Sequence, residues 1–192
     1  MKAFVINLDS RPDRLELFKQ NNLPFDVERF PGVVASCGED GCTNSHLTLL
    51  RKYRDETPFV IFEDDCMMLE SWGIVEKAIS QLPQNWDCLY LGGTVRTPLT
   101  RYSDNLYRLK KTWTTHAIIY NSKRLINYIL HKHNTPSGIN LDVFLNNKVQ
   151  QRFNCFITYP LVATQRNSYS DISKQHVDFE TYIGESYKRF VQ

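Results

Sequence analysis

Phe59-Val60-Ile61-Phe62-Glu63-Asp64-Asp65 is the stretch that decides the fold. Four apolar residues run without a polar break into three consecutive carboxylates. Entered through Pro58, the run reads as an apolar strand that ends in the acids. Side chains alternate along a strand, so Glu63 and Asp65 are expected on one face and Asp64 on the other. Three adjacent carboxylates repel one another unless something positive compensates them. In open α/β sheets ligands gather beyond the carboxyl ends of the strands, where this triplet falls. Oxygen donors suit Mg²⁺ or Mn²⁺, whose shells also accept diphosphate oxygens. An acidic turn in solvent is the rival reading, and the apolar run leading into the acids favours the metal.

Outward from this stretch, short apolar runs alternate with helical spacing. Phe4-Val5-Ile6-Asn7-Leu8 reads as a buried strand. A helix start follows at Ser10-Arg11-Pro12-Asp13, with Ser10 as cap, Pro12 in the first turn and Asp13 at the positive end of the dipole. Phe25 to Glu28 alternates like a second strand, closed by Pro31-Gly32. Ser36 to Gly41 reads as loop, and Thr43 or Asn44 caps a helix carrying Leu47, Leu50 and Tyr53. Further helices are expected over Ser71–Leu82, from Ser122 to about His131, from Asp142 onward and over Asp178–Phe190. Further strands are expected at Leu89–Leu91, Thr115–Tyr120 and Cys155–Tyr159. The alternation predicts an α/β fold with an open, mostly parallel sheet, and no repeat or linker divides residues 1–192, so one domain is expected.

Composition narrows the partners. With 42% hydrophobic and 23% charged residues the chain has ordinary globular usage, and a net charge of +2 argues against nucleic acid. Arg108-Leu109-Lys110-Lys111 is too short for a basic groove and reads as a solvated turn. No apolar run approaches the roughly 20 residues of a membrane span. The opening run meets Asn7 and Asp9 too early for a signal-peptide core. Five cysteines, several inside apolar stretches, read as reduced thiols. Cys37 and Cys42 have no second Cys/His pair at zinc-like spacing, so a structural zinc is not expected. The expected compartment is the cytoplasm, of a bacterium or of a host cell carrying a virus.

The ordered motifs also resemble those of glycosyltransferase family 25, which includes lipooligosaccharide sugar transferases and procollagen galactosyltransferases. The family's opening is similar to Val5-Ile6-Asn7-Leu8-Asp9-Ser10-Arg11-Pro12-Asp13-Arg14, and Gly41-Cys42-Thr43-Asn44-Ser45-His46 looks like a second family segment. Its acidic motif resembles Phe62-Glu63-Asp64-Asp65, followed by a match to Trp86-Asp87-Cys88-Leu89-Tyr90-Leu91-Gly92. Gln165 and Ser170-Asp171-Ile172 match the closing segment. The resemblance implies a GT-A fold, of the Rossmann-like nucleotide-diphospho-sugar transferase kind. It also implies a UDP-sugar donor, a divalent ion (commonly Mn²⁺), a glycan or hydroxylated protein acceptor, and inversion at the transferred carbon. Asp65 then becomes the first metal ligand and Asp64 the second, while Glu63 holds the strand end or touches the donor sugar. Asp171 or His176 would complete the metal shell.

Other residues carry two readings each. Asn7 and Arg11 follow the first strand, where a nucleotide can lie. Arg11 suits phosphate or base, and equally a surface position; Arg14, a turn further on, is expected in solvent. Ser45 and His46 enter the donor or acceptor cleft by the resemblance, with capping or helix packing as the alternative. Asp142 opens a helix where inverting GT-A enzymes often place a base, and is otherwise an ordinary N-cap. Two rival functions keep the acidic triplet: a catalytically degenerate nucleotide- or sugar-binding module, and a metal-dependent phosphohydrolase. The latter lacks a second acidic cluster for a two-metal site. Oligomeric state is not written in these features.

Overall fold

The computed structural model describes residues 1–133, 138–170 and 175–191, the side chains of 168–170, 175 and 176 excepted. The chain begins with β1 (Lys2–Asn7), α1 (Pro12–Lys19), β2 (Glu28–Pro31), α2 (Gly38–Tyr53), β3 (Phe59–Glu63), β4 (Cys66–Met68) and α3 (Trp72–Ser80). It continues with β5 (Cys88–Tyr90), β6 (Thr94–Val95), β7 (Thr100–Ser103), β8 (Leu106–Arg108), β9 (Thr112–Trp113) and β10 (Ala117–Tyr120). Then come α4 (Lys123–Lys132), α5 (Leu141–Phe144) and a π-helical turn (Leu145–Val149). The last elements are β11 (Cys155–Thr158), β12 (Ala163–Gln165), β13 (Ser168–Ser170), β14 (Gln175–Val177) and α6 (Phe179–Phe190).

Eight strands form one mixed sheet in the order β2-β1-β3-β10-β5-β11-β8-β7. Only β10 and β8 run against the others, so six strands share one direction, as the alternation of elements predicts, while the two reversed strands make four of the seven neighbouring pairs antiparallel. Burial follows the two-residue period of the strands. Phe4, Phe59, Ile61, Tyr90, Ile118 and Ile157 face one core, closed by Leu50 of α2, Ile126 of α4 and Ile183 of α6. Val5, Val60, Phe62, Leu89, Ile119 and Phe156 face the other, closed by Phe18 of α1 and Val75 of α3. Helices on both faces explain why the central strands read as unbroken apolar runs. The result is an α/β, Rossmann-like layering.

Local details differ from the sequence reading. Arg11 stands at the start of α1 without a side-chain cap, so Ser10 does not cap it. The second strand lies later than Phe25–Glu28, because Glu28 to Pro31 pairs with β1 while Phe25 and Val27 pack into the core beside it. Helix α2 begins at Gly38, inside the segment read as loop, and Thr43 sits within it. Glycines at 38 and 41 weaken helical propensity, which hid this start. A Cβ on Gly41 would lie 2.6 Å from the Val33 carbonyl, so glycine is what lets the preceding loop cross the helix. Ser122 does cap α4, accepting from the Leu125 N–H at 3.2 Å.

Candidate functional site

The site forms where the carboxyl ends of β1, β3 and β5 meet the amino end of β10. Because β10 is antiparallel to β3, the residues entering it stand beside those leaving β3, and the Glu63 N–H donates to the His116 carbonyl at 2.9 Å. Gly92, just beyond β5, passes under Ala163 so closely that a Cβ would fall 1.8 Å from its carbonyl oxygen. The buried His116 fills the same corner, with Nε2 3.3 Å from the Ala163 carbonyl and Nδ1 3.1 Å from the Thr114 hydroxyl. A carbonyl only accepts, so Nε2 carries the proton and Nδ1 accepts from Thr114. Burial lowers the His116 pKa, against the pull of the Glu63 charge and the hydrogen bond to Ala163.

Each acid of the triplet has its own surroundings. Glu63 Oε1 receives the Thr115 hydroxyl at 2.5 Å, His46 Nε2 at 3.0 Å and the Cys42 thiol at 3.8 Å. Burial alone would raise the Glu63 carboxyl. The hydrogen bond and charge of His46, with Thr115 and His116, outweigh burial and hold it down at about 2. Asp64 Oδ2 accepts from the Asn7 side-chain amide at 2.7 Å, and its Oδ1 meets Arg14 Nη1 at 3.1 Å. Asp65 Oδ2 meets Arg14 Nη2 at 3.0 Å and Gln165 Nε2 at 3.2 Å. Burial raises both aspartates. Asp65 reaches about 7, with Glu63 and Asp64 adding to burial and Arg14 and Gln165 opposing it.

Asp65 Oδ1 is buried and has no hydrogen-bond partner. A buried carboxylate oxygen left open in this way fits a metal ligand. The oxygens of Asp64 are engaged by Asn7 and Arg14, so Asp65 is the better placed of the two. Asp171 lies outside the described residues, as does the side chain of His176.

Two cavities meet at this wall. One, of about 380 Å³, is lined by residues including Glu63, Asp65, Thr114, Asp142, Gln165 and Phe179. The other, of about 390 Å³, runs past Leu8, Arg14, Val33, Ala35, Ser45 and Asp64. Glu39, Cys42, Glu63 and Asp65 border both. Asp142 Oδ1 accepts from the Val143 N–H at 2.7 Å, and the carboxylate also accepts from the Thr114 backbone. Asn140, not Asp142, stands at the N-cap of α5, which removes the capping role for this acid. Burial raises the Asp142 pKa, against those two backbone bonds. Thr114 adopts φ +72°, an outlying conformation for a β-branched residue, and this aims its backbone at Asp142.

The remaining sequence candidates take supporting positions. Asn7 is 1% exposed, donating to Asp64 and to the Arg11 carbonyl and accepting from Arg29 Nε. It fixes Asp64 from beneath. The Ser45 hydroxyl donates to the Gly41 carbonyl at 2.7 Å and accepts from the Val33 N–H at 2.8 Å, so it pins the cavity loop to α2. Arg11 pairs with Asp13 outside both cavity walls. Arg14, expected in solvent, is instead 13% exposed and forks across Asp64 and Asp65. Arg29, Thr114, Thr115 and Gln165 were not singled out as site residues. They reach the acids or Asn7 from other segments; no local pattern marks the first three, and the resemblance places Gln165 in the closing segment without giving it a role.

Among curated proteins none matches the sequence. Among solved structures, A197 from STIV is 13% identical with a TM-score of 0.46, covering 88% of this chain and 87% of its own. HddC from Yersinia pseudotuberculosis is 12% identical with a TM-score of 0.42, covering 97% and 76%. A candidate glucose-1-phosphate thymidylyltransferase from Bacillus anthracis is 12% identical with a TM-score of 0.47, covering 84% and 69%. At these scores the likeness is one of general chain path and says nothing of reaction. The family model for glycosyltransferase family 25 (LPS biosynthesis protein) matches residues 31–183, across the cavity loop, the acidic triplet, Asp142 and Gln165. The chain therefore belongs to glycosyltransferase family 25 and is a glycosyltransferase.

Proposed function

We infer that this glycosyltransferase moves a sugar from a UDP-sugar donor to a hydroxyl of a glycan or hydroxylated protein, with inversion and with Mn²⁺ or Mg²⁺ bound. One observation carries the reading: Asp65, which keeps one carboxylate oxygen without a hydrogen-bond partner, and Asp142 line one cavity of about 380 Å³. Asp65, with Asp64 beside it, would hold the ion, which supplies positive charge for the departing diphosphate. Arg14 adds a fixed cation at the same place. Asp142 takes the proton of the acceptor hydroxyl. Its raised pKa brings it nearer to neutrality, where a general base is most effective. Glu63, locked by His46 and Thr115, keeps the end of β3 in place. The five free thiols suit a reducing cytoplasm, and residues 1–192 as one transferase domain complete the proposal. Among the described residues no helix is long and apolar enough to cross a membrane.

A thermal-shift screen of nucleotides and nucleotide sugars, with Mn²⁺ or EDTA, tests the donor. A ligand that binds only the folded state raises apparent stability by mass action. UDP and one UDP-sugar are expected to stabilise with Mn²⁺, more strongly at pH 8 than at pH 6, because the Asp65 proton at about 7 competes with the ion. No shift for any nucleotide with folded protein would overturn the donor assignment.

Asp142→Asn is expected to lower kcat by about 10²–10⁴-fold, the usual contribution of a general base, with the donor KM little changed. Normal turnover would remove Asp142 from the mechanism.

A further inference from the structure

We propose that Cys42, His46 and Glu63 form a second cation site, selective for a thiophilic divalent ion such as Zn²⁺ and separate from the Asp65 site. The proposal does not rest on the assigned reaction.

Cys42 and His46 stand four residues apart on α2, so they share a helix face one turn apart. Glu63 approaches that face from the end of β3. The Cys42 Sγ, one imidazole nitrogen of His46 and a Glu63 carboxylate oxygen all lie within 4.8 Å of one another. In a tetrahedral zinc site, with bonds of about 2.0–2.3 Å, ligand atoms stand roughly 3.3–3.6 Å apart. The observed 3.8 Å from Cys42 Sγ to Glu63 Oε1 and 3.0 Å from His46 Nε2 to the same oxygen bracket that spacing. Small side-chain shifts around an ion would close the difference. The sequence held no clue because the third ligand comes from another element: zinc spacing is read along the chain, and this set is completed across it.

The donor set separates the two sites by chemistry. Thiolate and imidazole favour Zn²⁺ or Co²⁺, whereas the carboxylates around Asp65 suit Mg²⁺ and Mn²⁺. On binding, the Cys42 thiol proton and the His46 Nε2 proton that Glu63 accepts both pass to solvent, and His46 coordinates through Nε2 with its remaining proton on Nδ1. His46 Nδ1 is buried without a partner, so this ring lacks the outer acceptor that orients most metal-bound histidines. That absence weakens a site by ten- to a hundredfold, which makes this one reversible rather than a permanent structural centre. Cys42 and Glu63 border both cavities, so an ion there stands in the wall between them.

The test is optical and needs no substrate. Metal-free protein titrated with Co²⁺ is expected to develop a near-ultraviolet thiolate-to-cobalt absorption that saturates at one ion per chain and is displaced by Zn²⁺. Cys42→Ser should abolish the band, and His46→Gln should weaken Co²⁺ binding at least tenfold. Asp65→Asn should leave it intact, as should Cys37→Ser, which removes the exposed cysteine nearby. Circular dichroism of Cys42→Ser confirms that loss of the band is not loss of fold. No band in the parent protein, a band surviving Cys42→Ser, or a band lost in Asp65→Asn would each overturn the proposal. Failure of the UDP-sugar assignment would leave every one of these readings unchanged.

Discussion

Asp65→Asn is expected to lower sugar transfer by about a thousandfold or more while leaving the fold intact. An ion stabilising a departing diphosphate is worth several kcal/mol, and each 1.36 kcal/mol is tenfold in rate. The amide keeps the shape of the carboxyl and its neighbourly contact with Gln165, but loses the open anionic oxygen. The stability effect has the opposite sign. With its pKa raised from 3.8 to about 7, Asp65 retains a proton in the folded chain that the unfolded chain has already lost. Stability of the parent therefore falls as pH rises through that window. Without added metal, the variant should be more stable than the parent at pH 8 by about 1–3 kcal/mol, an advantage that closes by about pH 4. Urea denaturation in EDTA at both pH values measures this, and single-turnover transfer with Mn²⁺ measures the first effect. Parental turnover, or lower stability at pH 8, would contradict the role given to Asp65.

Arg14→Met should produce the largest loss of stability of any single change at the site, about 3–5 kcal/mol, the cost of removing one partner from a buried ion pair. The guanidinium is 13% exposed and spans Asp64 at 3.1 Å and Asp65 at 3.0 Å. Without it two carboxylates stand beside Glu63 without the guanidinium that spans them, and Arg11 is left to act on Asp64 alone. Both aspartate pKa values would rise further, so the damage should be greatest at alkaline pH and smallest where the acids are protonated. Mn²⁺ should restore part of the loss by supplying the missing positive charge. A pH-independent loss below about 1 kcal/mol would show that Arg14 does not hold the triplet together.

The sheet was legible because its signal is local. An apolar run such as Phe59 to Phe62 carries its own evidence of double-sided burial, and the acids after it mark the carboxyl end. The start of α2 was not, because Gly38 and Gly41 read as loop, and only the approach of the Val33 carbonyl reveals why a glycine belongs at 41. Arg14 illustrates the limit at the site. One turn into a helix with many exposed positions, it looks like a surface cation until β3 is placed alongside. Gln165 reaches Asp65 across a separation of 100 residues, and no spacing rule spans that distance. Thr114 is hidden for a different reason, since a positive φ at a threonine runs against its own preference and is imposed by the surrounding structure.

The position of β10 also bears on how the chain is made. It lies between β3 and β5 although it follows both in sequence. A ribosome therefore delivers β1, β2 and β3 long before the strand that seals the β3 flank. Until residues 117–120 emerge, Phe59 to Phe62 offer unpaired backbone amides along an apolar edge, the arrangement that invites chain-to-chain pairing. Non-local closure of this kind is slow compared with helix formation. The nascent chain must therefore keep that edge from pairing with its neighbours for as long as the translation of β10 takes.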